Sequence, residues 1–452
     1  MLVSAAAVGA QGDRSRLGER SLRNIRRQLH YDIQRMNVVG KGVAEGYLTR
    51  EELDTVAREG LAGLPVDGRR VLVIVPDGTR TMPMPLMFEL IERELGPRVA
   101  ALDYLVALGT HSAMDDTQLS ALVGRPVVNG RAGASKVFNH RWDDPGVYAL
   151  LGTIPAREIA DLTNGRLQQD VPVALNRLAT EYDHVLICGP VFPHEVAGFS
   201  GGTKYLFPGI AAPEIIHFTH WLGALVTSYA VIGTIDTAVR AVINRAAALL
   251  DTPLSLLALV VTHHGVAGMY CGEVHEAWRQ AAMLSSQRHI VWVDEPYDRV
   301  LAVMPTMYDD LWTAGKGMYK SEPVVADGGE VIIYAPHVTE VSRTHGRMID
   351  EVGYHCRDYF LAQWDRFRQY PGGILAHSTH VKGNGTYDSA TGVEDPRVQV
   401  TLATGISAQH CRLVNLGYKD PGTVAPRDYE GDAKTLVIPR AGEMLYRVKA
   451  TQ

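Results

Sequence analysis

The sequence predicts an α/β protein of two domains with mainly parallel sheets, and three observations indicate this class. The chain has 452 residues, whereas a single hydrophobic core rarely grows beyond about 250–300 residues. Hydrophobic residues make up 46% and charged residues 21%, as in globular rather than disordered proteins. Short β-branched apolar runs alternate with segments of helical spacing, which is typical of strands buried between layers of helices.

The individual elements follow from this alternation. Glu51–Leu61 has the apolar spacing of a helix, and the strand Arg70–Val75 ends abruptly at Pro76-Asp77-Gly78. The first series of strands is predicted at Arg70–Val75, Val99–Leu108, His184–Cys188 and Leu256–Val261. The second series is predicted at Val300–Met304, Glu330–Tyr334, Gly373–Ala376, Leu413–Leu416 and Thr435–Ile438.

The domain organisation is predicted from the change between the two series. A charged stretch precedes the second series, so we place the junction near Gln287–Val293, between an N-terminal domain of residues 41–287 and a C-terminal domain of residues 288–452. Residues 1–40 are expected to be a poorly specified N-terminal extension, with an Ala/Gly/Ser stretch followed by an Arg-rich amphipathic segment.

Composition excludes several classes of protein. The 44 Lys and Arg against 50 Asp and Glu give a net charge of −6, without the basic excess of a nucleic-acid-binding protein. The longest apolar runs, such as Leu256–Val261, are far shorter than the ~20 residues of a membrane span. Basic residues follow the apolar N-terminus, whereas a secretory signal has the opposite order, so a cytoplasmic enzyme is expected. The four cysteines, Cys188, Cys271, Cys356 and Cys411, are widely spaced and form no CxxC pair. This argues against a zinc ribbon and against a disulfide scaffold.

Ionisable side chains follow three strands of the first series. Asp77 and Arg80 come after the first strand, His111 after the second and His194 after the third. Ligands of open parallel sheets gather at the carboxyl ends of the strands, so three such endings predict a site. An arginine at a strand end is suited to a carboxylate or phosphate, although Asp77 and Arg80 could equally form a local ion pair that caps the next helix.

A glycine-rich segment follows His194. Gly198, Gly201 and Gly202 allow positive φ and a close approach of backbone N–H groups to an anion, and Lys204 adds a positive charge. The segment is not a Walker A loop, because the residue before Lys204 is not glycine and the residue after it is not Ser or Thr. A glycine-rich turn with a surface lysine is the alternative.

Histidines are the candidate metal ligands or acid–base groups. Pro213 begins a helix on which His217 and His220 share a face, although a pair at this spacing is more often structural. Together with His111 and His194, they would suit nickel, copper or zinc, or proton transfer. Competing candidates that also follow apolar segments are His263, His264, His377 and His380.

Taken together, these segments resemble the lactate racemase family, enzymes that use a nickel-pincer nucleotide. The resemblance covers about residues 50–440 and is most specific between residues 194 and 220, where the order and spacing His–Lys–His are kept. The matching segments are Asp77-x-Thr79-Arg80, Gly109-Thr110-His111, His194-x-x-Ala197-Gly198-Phe199-Ser200-Gly201-Gly202-x-Lys204, Pro208-Gly209, His220, Lys316-Gly317-Met318 and Gln363-Trp364.

The resemblance implies a fold, a cofactor and partners. It implies two α/β domains with an interdomain active-site cleft, the N-terminal one carrying the anchoring lysine and catalytic histidines and the C-terminal one contributing substrate contacts. The cofactor would be pyridinium-3-thioamide-5-thiocarboxylic acid mononucleotide with nickel, attached to Lys204 through a thioamide bond. His220 would be the protein ligand to nickel. Cofactor-synthesis proteins and a small 2-hydroxy acid would be the partners.

The resemblance also implies roles for the remaining residues. His111 and His194 would be the paired acid–base groups, one for each face of the substrate. Lys316 would grip the substrate carboxylate, with Thr313 and Trp364 also in contact with the substrate. The residues that hold the cofactor would be Asp77, Thr79, Arg80, Gly201 and Gly202, and Arg80 would also assist catalysis.

The chemistry of inversion agrees with these roles. The α-proton beside a carboxylate is very weakly acidic, whereas removal of hydride, as a histidine takes the hydroxyl proton, gives a planar 2-keto acid that can be reduced on either face. Such a reaction needs a hydride acceptor that stays bound, two bases of near-neutral pKa and a cation for the carboxylate.

Two departures from the lactate enzymes predict a different substrate. Glu195-Val196 replaces the usual aromatic pair after His194, and Thr313, next to Trp312, replaces a glutamine that contacts lactate. We therefore expect a larger 2-hydroxy acid, such as a sugar acid, an aromatic lactate or a hydroxy diacid. The alternatives to a racemase or 2-epimerase are a zinc hydrolase that uses the histidines directly and a non-catalytic nucleotide-binding or cofactor-carrying protein.

Overall fold

The computed structural model describes residues 37–449, which form two compact units. The first unit comprises residues 37–151, Leu175–Pro190 and Ala247–Ala281. The second comprises Gly152–Ala174, Val191–Ala246 and residues 282–449. Most of the segment expected to be an N-terminal extension, residues 1–36, lies outside the described residues. Within the described part of the chain, no helix has the length and apolar character needed to cross a membrane.

The strands of both units are numbered in chain order. They are β1 (Val39–Gly42), β2 (Arg70–Val75), β3 (Ala101–Val106), β4 (Arg131–Ala132), β5 (Ser135–Asn139), β6 (Tyr148–Ile154), β7 (Val171–Asn176), β8 (His184–Pro190), β9 (Pro193–His194), β10 (Gly198–Phe199), β11 (Leu254–Thr262), β12 (Gly265–Gly272), β13 (Ile290–Val293), β14 (Tyr297–Val303), β15 (Val325–Ala335), β16 (Gly385–Asp388), β17 (Val393–Pro396), β18 (Gln399–Thr404), β19 (Gly417–Tyr418), β20 (Thr435–Ile438) and β21 (Leu445–Val448).

The α-helices are numbered in the same way. They are α1 (Arg50–Ala62), α2 (Met84–Leu95), α3 (Asp116–Val123), α4 (Ala156–Leu162), α5 (Leu178–Glu181), α6 (Pro213–Val226), α7 (Ser228–Val231), α8 (Ala238–Ala247), α9 (Val274–Arg288), α10 (Leu311–Ala314), α11 (Lys316–Tyr319), α12 (Gly346–Val352), α13 (Arg357–Ala362), α14 (Trp364–Phe367), α15 (Gly372–Lys382) and α16 (Ala408–Leu413).

The first unit is organised around an eight-stranded sheet of order β1-β12-β11-β8-β2-β3-β5-β4. Its five central strands, β11, β8, β2, β3 and β5, are parallel, and antiparallel strands complete both edges. Residues 71–75 of β2 are buried, as expected for a central strand of a parallel sheet. The helix α1 begins with a capping box, in which Thr49 and Glu52 satisfy each other's backbone N–H groups.

The second unit contains a five-stranded, fully parallel sheet of order β19-β18-β15-β14-β20. Helices α10, α11, α12 and α15 contribute buried apolar residues to the same core as β14, β15 and β18. The α/β class with mainly parallel sheets is therefore confirmed.

Two of the predicted strands are wrong. Gly373–Ala376 lies inside the helix α15, and Leu413–Leu416 is the end of α16 followed by a turn in which Asn415 has φ 62°. Short apolar runs of four residues have no periodicity that separates a buried helix from a strand. The third strand of the second sheet is instead β18, which the prediction missed.

The linear division at residue 287 also differs from the two units. The second unit's long C-terminal segment does begin near that point, at Ala282, but Gly152–Ala174 and Val191–Ala246 belong to the second unit rather than the first. His194, Lys204 and His220 are therefore in the second unit, and not in an N-terminal domain together with Asp77 and His111. A sequence division made by one cut cannot describe a chain that passes between two cores several times.

Candidate active site

In the first unit, the ends of β2 and β3 bring together Asp77 and His111. The carboxylate oxygen Oδ2 of Asp77 lies 2.5 Å from Nδ1 of His111. Because β2 and β3 are parallel neighbours, the loops that follow them meet at one edge of the sheet. This agrees with the expectation for two of the three strand endings, whereas His194, which follows the third, belongs to the second unit.

A chain of hydrogen bonds continues from Asp77 to Arg80. The hydroxyl of Thr79 donates to Oδ1 of Asp77 at 2.6 Å and accepts from Nη1 of Arg80 at 2.6 Å. The backbone N–H of Thr79 donates to the same carboxylate oxygen at 3.1 Å. The Arg80 guanidinium thus reaches Asp77 through Thr79 rather than directly.

These contacts determine the protonation of the pair. Burial alone would raise the pKa of Asp77, but the hydrogen bond with His111 and the charge of Arg80 outweigh it and hold that pKa well below its usual value. An ionised Asp77 only accepts hydrogen bonds, so Nδ1 of His111 carries a proton, and in the neutral tautomer the lone pair is on Nε2. The His111 side chain is 37% exposed, which leaves it accessible to a ligand.

In the second unit, the glycine-rich segment forms the turn that carries Lys204. Gly198, Gly201 and Gly202 have φ values of 82°, 78° and 59°. A Cβ on Gly198 would lie 1.9 Å from the carbonyl oxygen of Thr234, so this position accepts only glycine. The predicted need for positive φ is confirmed, and Lys204 lies in the 3-10 turn Gly202–Tyr205 that follows.

The helix α8 holds this turn through two side chains that the sequence reasoning missed. Arg240, only 4% exposed, donates to the carbonyl oxygens of Gly201, at 3.2 Å, and Phe199. The hydroxyl of Thr203 donates to Oδ1 of Asn244, one helical turn further along, at 2.7 Å. Burial lowers the pKa of Arg240 to about 9. The i,i+4 spacing of Arg240 and Asn244 is visible in the sequence, but many exposed pairs have it.

His220 lies on α6, and one of its two ring nitrogens is held by a backbone carbonyl. Its Nδ1 lies 2.7 Å from the carbonyl oxygen of Ile216, which can only accept, so Nδ1 is protonated and Nε2 has the lone pair. Burial lowers the pKa of His220 to about 4, and the charge of Lys204 acts in the same direction. The ring therefore stays neutral near pH 7, as metal binding requires.

His194 has the opposite tautomer. The backbone N–H of Val196 donates to its Nδ1 at 3.1 Å, so the neutral ring carries its proton on Nε2. The carboxylate of Glu195 lies 3.5 Å from the same Nδ1 and would stabilise the ring when both nitrogens are protonated. A Cβ on Gly223 of α6 would lie 3.0 Å from a methyl carbon of Val196, so glycine permits the close packing of α6 on this segment.

The competing histidines differ in their surroundings. His263 and His264 contact each other, with ring centroids 3.7 Å apart, after the end of β11. His377 is buried and stacks on Trp312 at 4.0 Å. His380 is 4% exposed, burial lowers its pKa to about 4, and its Nε2 has no hydrogen-bond partner among the described residues.

His380 belongs to the surroundings of His220. Its charge acts to lower the pKa of His220, and Glu195 acts on the pKa of both histidines. His217, the other histidine of the predicted pair, is instead covered by the start of α15: a Cβ on Gly373 would lie 3.3 Å from its Nδ1. Of the two histidines on α6, His220 is thus the one beside other candidate groups.

The predicted substrate contacts also lie in the second unit. Lys316 begins α11, with its Nζ 4.5 Å from the centre of the Tyr308 ring. The hydroxyl of Thr313 donates to the backbone oxygen of Asp310 and lies 2.9 Å from its Oδ1. Trp364 is 38% exposed and stacks on Trp221, the neighbour of His220, at 5.2 Å.

The donor set fits a metal that a cofactor holds in large part. Among residues 37–449, no three His, Cys, Asp or Glu side chains are grouped as they would be to hold a metal ion. His220 by itself offers one neutral imidazole nitrogen, which fits a metal whose other ligands come from an organic cofactor. Lys204, on a turn of positive-φ glycines, fits the anchoring of an anionic cofactor.

Comparison with known proteins gives related sequences and folds. Residues 23–233 match the family described as the lactate racemase N-terminal domain. The lactate racemase of Thermoanaerobacterium thermosaccharolyticum is 24% identical over 298 residues, or 64% of this chain, and that of Lactiplantibacillus plantarum is 25% identical over 181 residues, or 39% of this chain. The chain matches 65% of the length of the first relative and 39% of the second, less than two thirds of either.

Two solved structures share the fold. A crystal structure of a Thermotoga maritima protein, a structural-genomics target, has a TM-score of 0.79 at 33% identity, covering 88% of this chain and 98% of that one. The lactate racemase apoprotein of T. thermosaccharolyticum has a TM-score of 0.68 at 21% identity, covering 89% of this chain and 93% of that one.

Proposed function

Because the chain belongs to the lactate racemase family, we propose that it is a racemase or 2-epimerase of a 2-hydroxy acid that carries a nickel-pincer nucleotide on Lys204. The observation that carries the proposal is the state of His220. Its Nδ1 donates to the carbonyl of Ile216, burial keeps the ring neutral, and Nε2 is left as a metal ligand in the electrostatic range of Lys204.

The cofactor, when bound, would supply a hydride acceptor that stays on the protein. Lys204 would anchor it, Gly201 and Gly202 would let the backbone approach it closely, and His220 would bind its metal through Nε2. Asp77, Thr79 and Arg80 would complete its binding site, and Arg80 would supply the positive charge.

Proton transfer would fall to His111 and His194. Nε2 of His111 has the lone pair needed to accept the proton of the substrate hydroxyl, since Asp77 holds the other nitrogen protonated. Nε2 of His194 carries a proton in the neutral ring, so this histidine is prepared to donate. Two imidazoles in opposite states suit a reaction that must run in both directions.

The substrate would be held by the second unit. Lys316 would bind the carboxylate, because its ammonium group is the right charge for it. Trp364 would pack against the substrate, and Thr313 would present its methyl group, since its hydroxyl bonds to Asp310. Valine at 196 and threonine at 313 leave more room than aromatic and glutamine side chains, which supports a substrate larger than lactate.

The test is an isomerisation assay on the chain produced together with cofactor-synthesis proteins. Lactate, malate and phenyllactate would each be followed for formation of the opposite enantiomer, and gluconate for formation of its C2 epimer, which is a diastereomer. We expect isomerisation of at least one acid larger than lactate. A clear preference for lactate would contradict the larger substrate, and no isomerisation by a loaded chain would contradict the activity.

Intact mass separates the proposal from a zinc hydrolase and from a cofactor carrier. The co-produced wild-type chain should gain a mass that Lys204→Arg lacks, whereas Lys136→Arg, at an exposed lysine of the first unit, should keep it. A zinc hydrolase would need no adduct and would be reconstituted by zinc alone. In a carrier without catalysis, His111→Ala would leave the adduct and all function unchanged.

A further inference from the structure

A cavity of about 300 Å³ lies within the second unit, where the carboxyl ends of α6 and α15 come together. The two helices run side by side and are in close contact, because a Cβ on Gly372 of α15 would lie only 2.5 Å from the carbonyl oxygen of His217 on α6. Ala224, near the end of α6, and Ser228, the first residue of α7, line one side of the cavity, and Thr379 and His380 line it from α15. Its volume is that of about ten water molecules at ~30 Å³ each.

The cavity begins one helical turn from the proposed metal ligand. Ala224 follows His220 by four residues and shares its face of α6, about one pitch of 5.4 Å along the axis. His380, in the opposite wall, is in electrostatic range of both His220 and Glu195. A substrate that reacts at the metal bound by His220 would therefore have this space nearby for the rest of its chain.

The polar groups of the cavity suit hydroxyls. The carbonyl ends of α6 and α15 and the amino ends of α7 and α13 all lie at the cavity, so its backbone groups suit hydroxyls, which both donate and accept hydrogen bonds. Ser228, Thr379 and Asn384 line the cavity with polar side chains. The buried Nε2 of His380 has no hydrogen-bond partner among residues 37–449, and burying a polar atom without a partner is unfavourable unless a ligand pairs with it.

The same surroundings disfavour a second carboxylate and an aromatic ring. Arg357, a cation in the wall, already donates to the carbonyl of Leu225 at 3.1 Å and forms an ion pair with Asp358 at 2.8 Å. All three guanidinium nitrogens of Arg357 thus have partners within the protein, because its Nε also donates to Asp358. Among the described residues of the wall, none is Phe, Tyr or Trp, the side chains on which an aromatic substrate would stack.

We propose that this cavity binds the polyhydroxylated tail of the substrate, so that the chain acts on a sugar acid rather than on an aromatic lactate or a hydroxy diacid. The inference rests on the proposed function, which it makes more specific.

The test is calorimetric titration of the full-length chain with gluconate and with lactate as probes. We expect the wild-type chain to bind gluconate at least tenfold more tightly than lactate. Asn384→Phe, which fills the cavity from a half-buried position, should weaken gluconate binding at least tenfold and leave lactate binding within twofold. Gln369→Phe, at an exposed position of the same unit, is the matched control and should change neither.

Ser228→Ala is a second, milder variant, which should weaken gluconate binding several-fold by removing one hydroxyl. Thermal unfolding would check that each variant is folded. Equal affinity of the wild-type chain for the two probes, or equal losses for both in Asn384→Phe, would overturn the subsite. A loaded chain that binds gluconate through this cavity and yet isomerises no 2-hydroxy acid would overturn the proposed function and leave the subsite standing.

Discussion

The carboxylate of Asp77 lies 2.5 Å from Nδ1 of His111, and this contact joins a buried anion to a partly exposed imidazole. The carboxylate is ionised because its pKa is held below the usual range by His111 and Arg80, in spite of burial. It therefore fixes which nitrogen of His111 carries the proton. The lone pair on Nε2 faces away from the carboxylate, where it can accept a proton from a ligand.

Asp77→Asn should abolish most isomerisation while the fold is kept. An asparagine can donate to Nδ1 of His111 and so stabilise the tautomer that carries its proton on Nε2. Because that tautomer cannot accept a proton on Nε2, we expect kcat to fall by about 100-fold or more. The measurement is kcat and KM of the loaded chain. Asp67→Asn, at an exposed ion pair with Arg98, serves as the control and should leave kcat unchanged. An Asp77→Asn chain with wild-type kcat would show that the pair has no part in proton transfer.

Arg240→Leu should destabilise the turn that carries Lys204. The change leaves the buried carbonyls of Gly201 and Phe199 without their donor, which we expect to cost about 2–4 kcal/mol of unfolding free energy. Urea denaturation measures this loss. Arg245→Leu, on the same helix, removes only a partly exposed ion pair with Glu158 and should cost about 1 kcal/mol or less. Equal losses in the two variants would mean that Arg240 is not a specific support of the turn.

The same variants should differ in cofactor loading. Intact mass after co-production with cofactor-synthesis proteins should show less adduct on Lys204 in Arg240→Leu than in Arg245→Leu. The physical reason is that the lysine must be held in place to react, and Arg240 binds the backbone on both sides of Ser200. Full loading of Arg240→Leu would indicate that the turn forms without this arginine.

Gly198→Ala should be much more destabilising than Gly165→Ala, although both glycines have positive φ. At Gly198 the new methyl would lie 1.9 Å from the Thr234 carbonyl, whereas at Gly165 nothing lies within 4 Å. We expect losses of about 3–5 kcal/mol and about 1–2 kcal/mol respectively, measured by urea denaturation. Similar losses at the two sites would mean that the segment shifts to accommodate the methyl group.

His184 should make the first unit sensitive to acid. It is buried in β8, and burial lowers its pKa to about 3, below the ordinary value near 6.5. The stability it contributes is therefore present above pH 6.5 and is lost as the pH falls toward 3, because the unfolded chain binds the proton first. Between these two pH values, the free energy of unfolding should fall by about 1.4 kcal/mol per pH unit.

His184→Gln should remove that part of the pH dependence. Unfolding free energies at pH 7, 6 and 5 should fall less steeply in this variant than in the wild type. His275→Gln, at an exposed histidine of the same unit, is the control and should keep the wild-type slope. A wild-type slope in His184→Gln would mean that His184 is not the group that takes up the proton.

Much of the fold was predictable because its strands are continuous apolar runs with clear ends. β2, β8, β11 and β20 lie within a few residues of their predicted positions, and α6 begins at Pro213 as expected. The contact between Asp77 and His111 was also foreseeable, since neighbouring parallel strands place their endings together. The run Gly373–Ala376 cannot be distinguished from a strand by its sequence, because four apolar residues are too few to show the periodicity of a helix.

The sequence by itself determined the residue types of the candidate site, the glycines of the Lys204 turn and the α/β class, since each depends on local pattern or local backbone geometry. Only the tertiary structure decided that Arg240 is buried beneath that turn, that His380 of α15 comes within electrostatic range of His220, and that the chain divides into discontinuous units. Burial and electrostatic surroundings arise from segments far apart in sequence, and no local spacing specifies which of them will pack together.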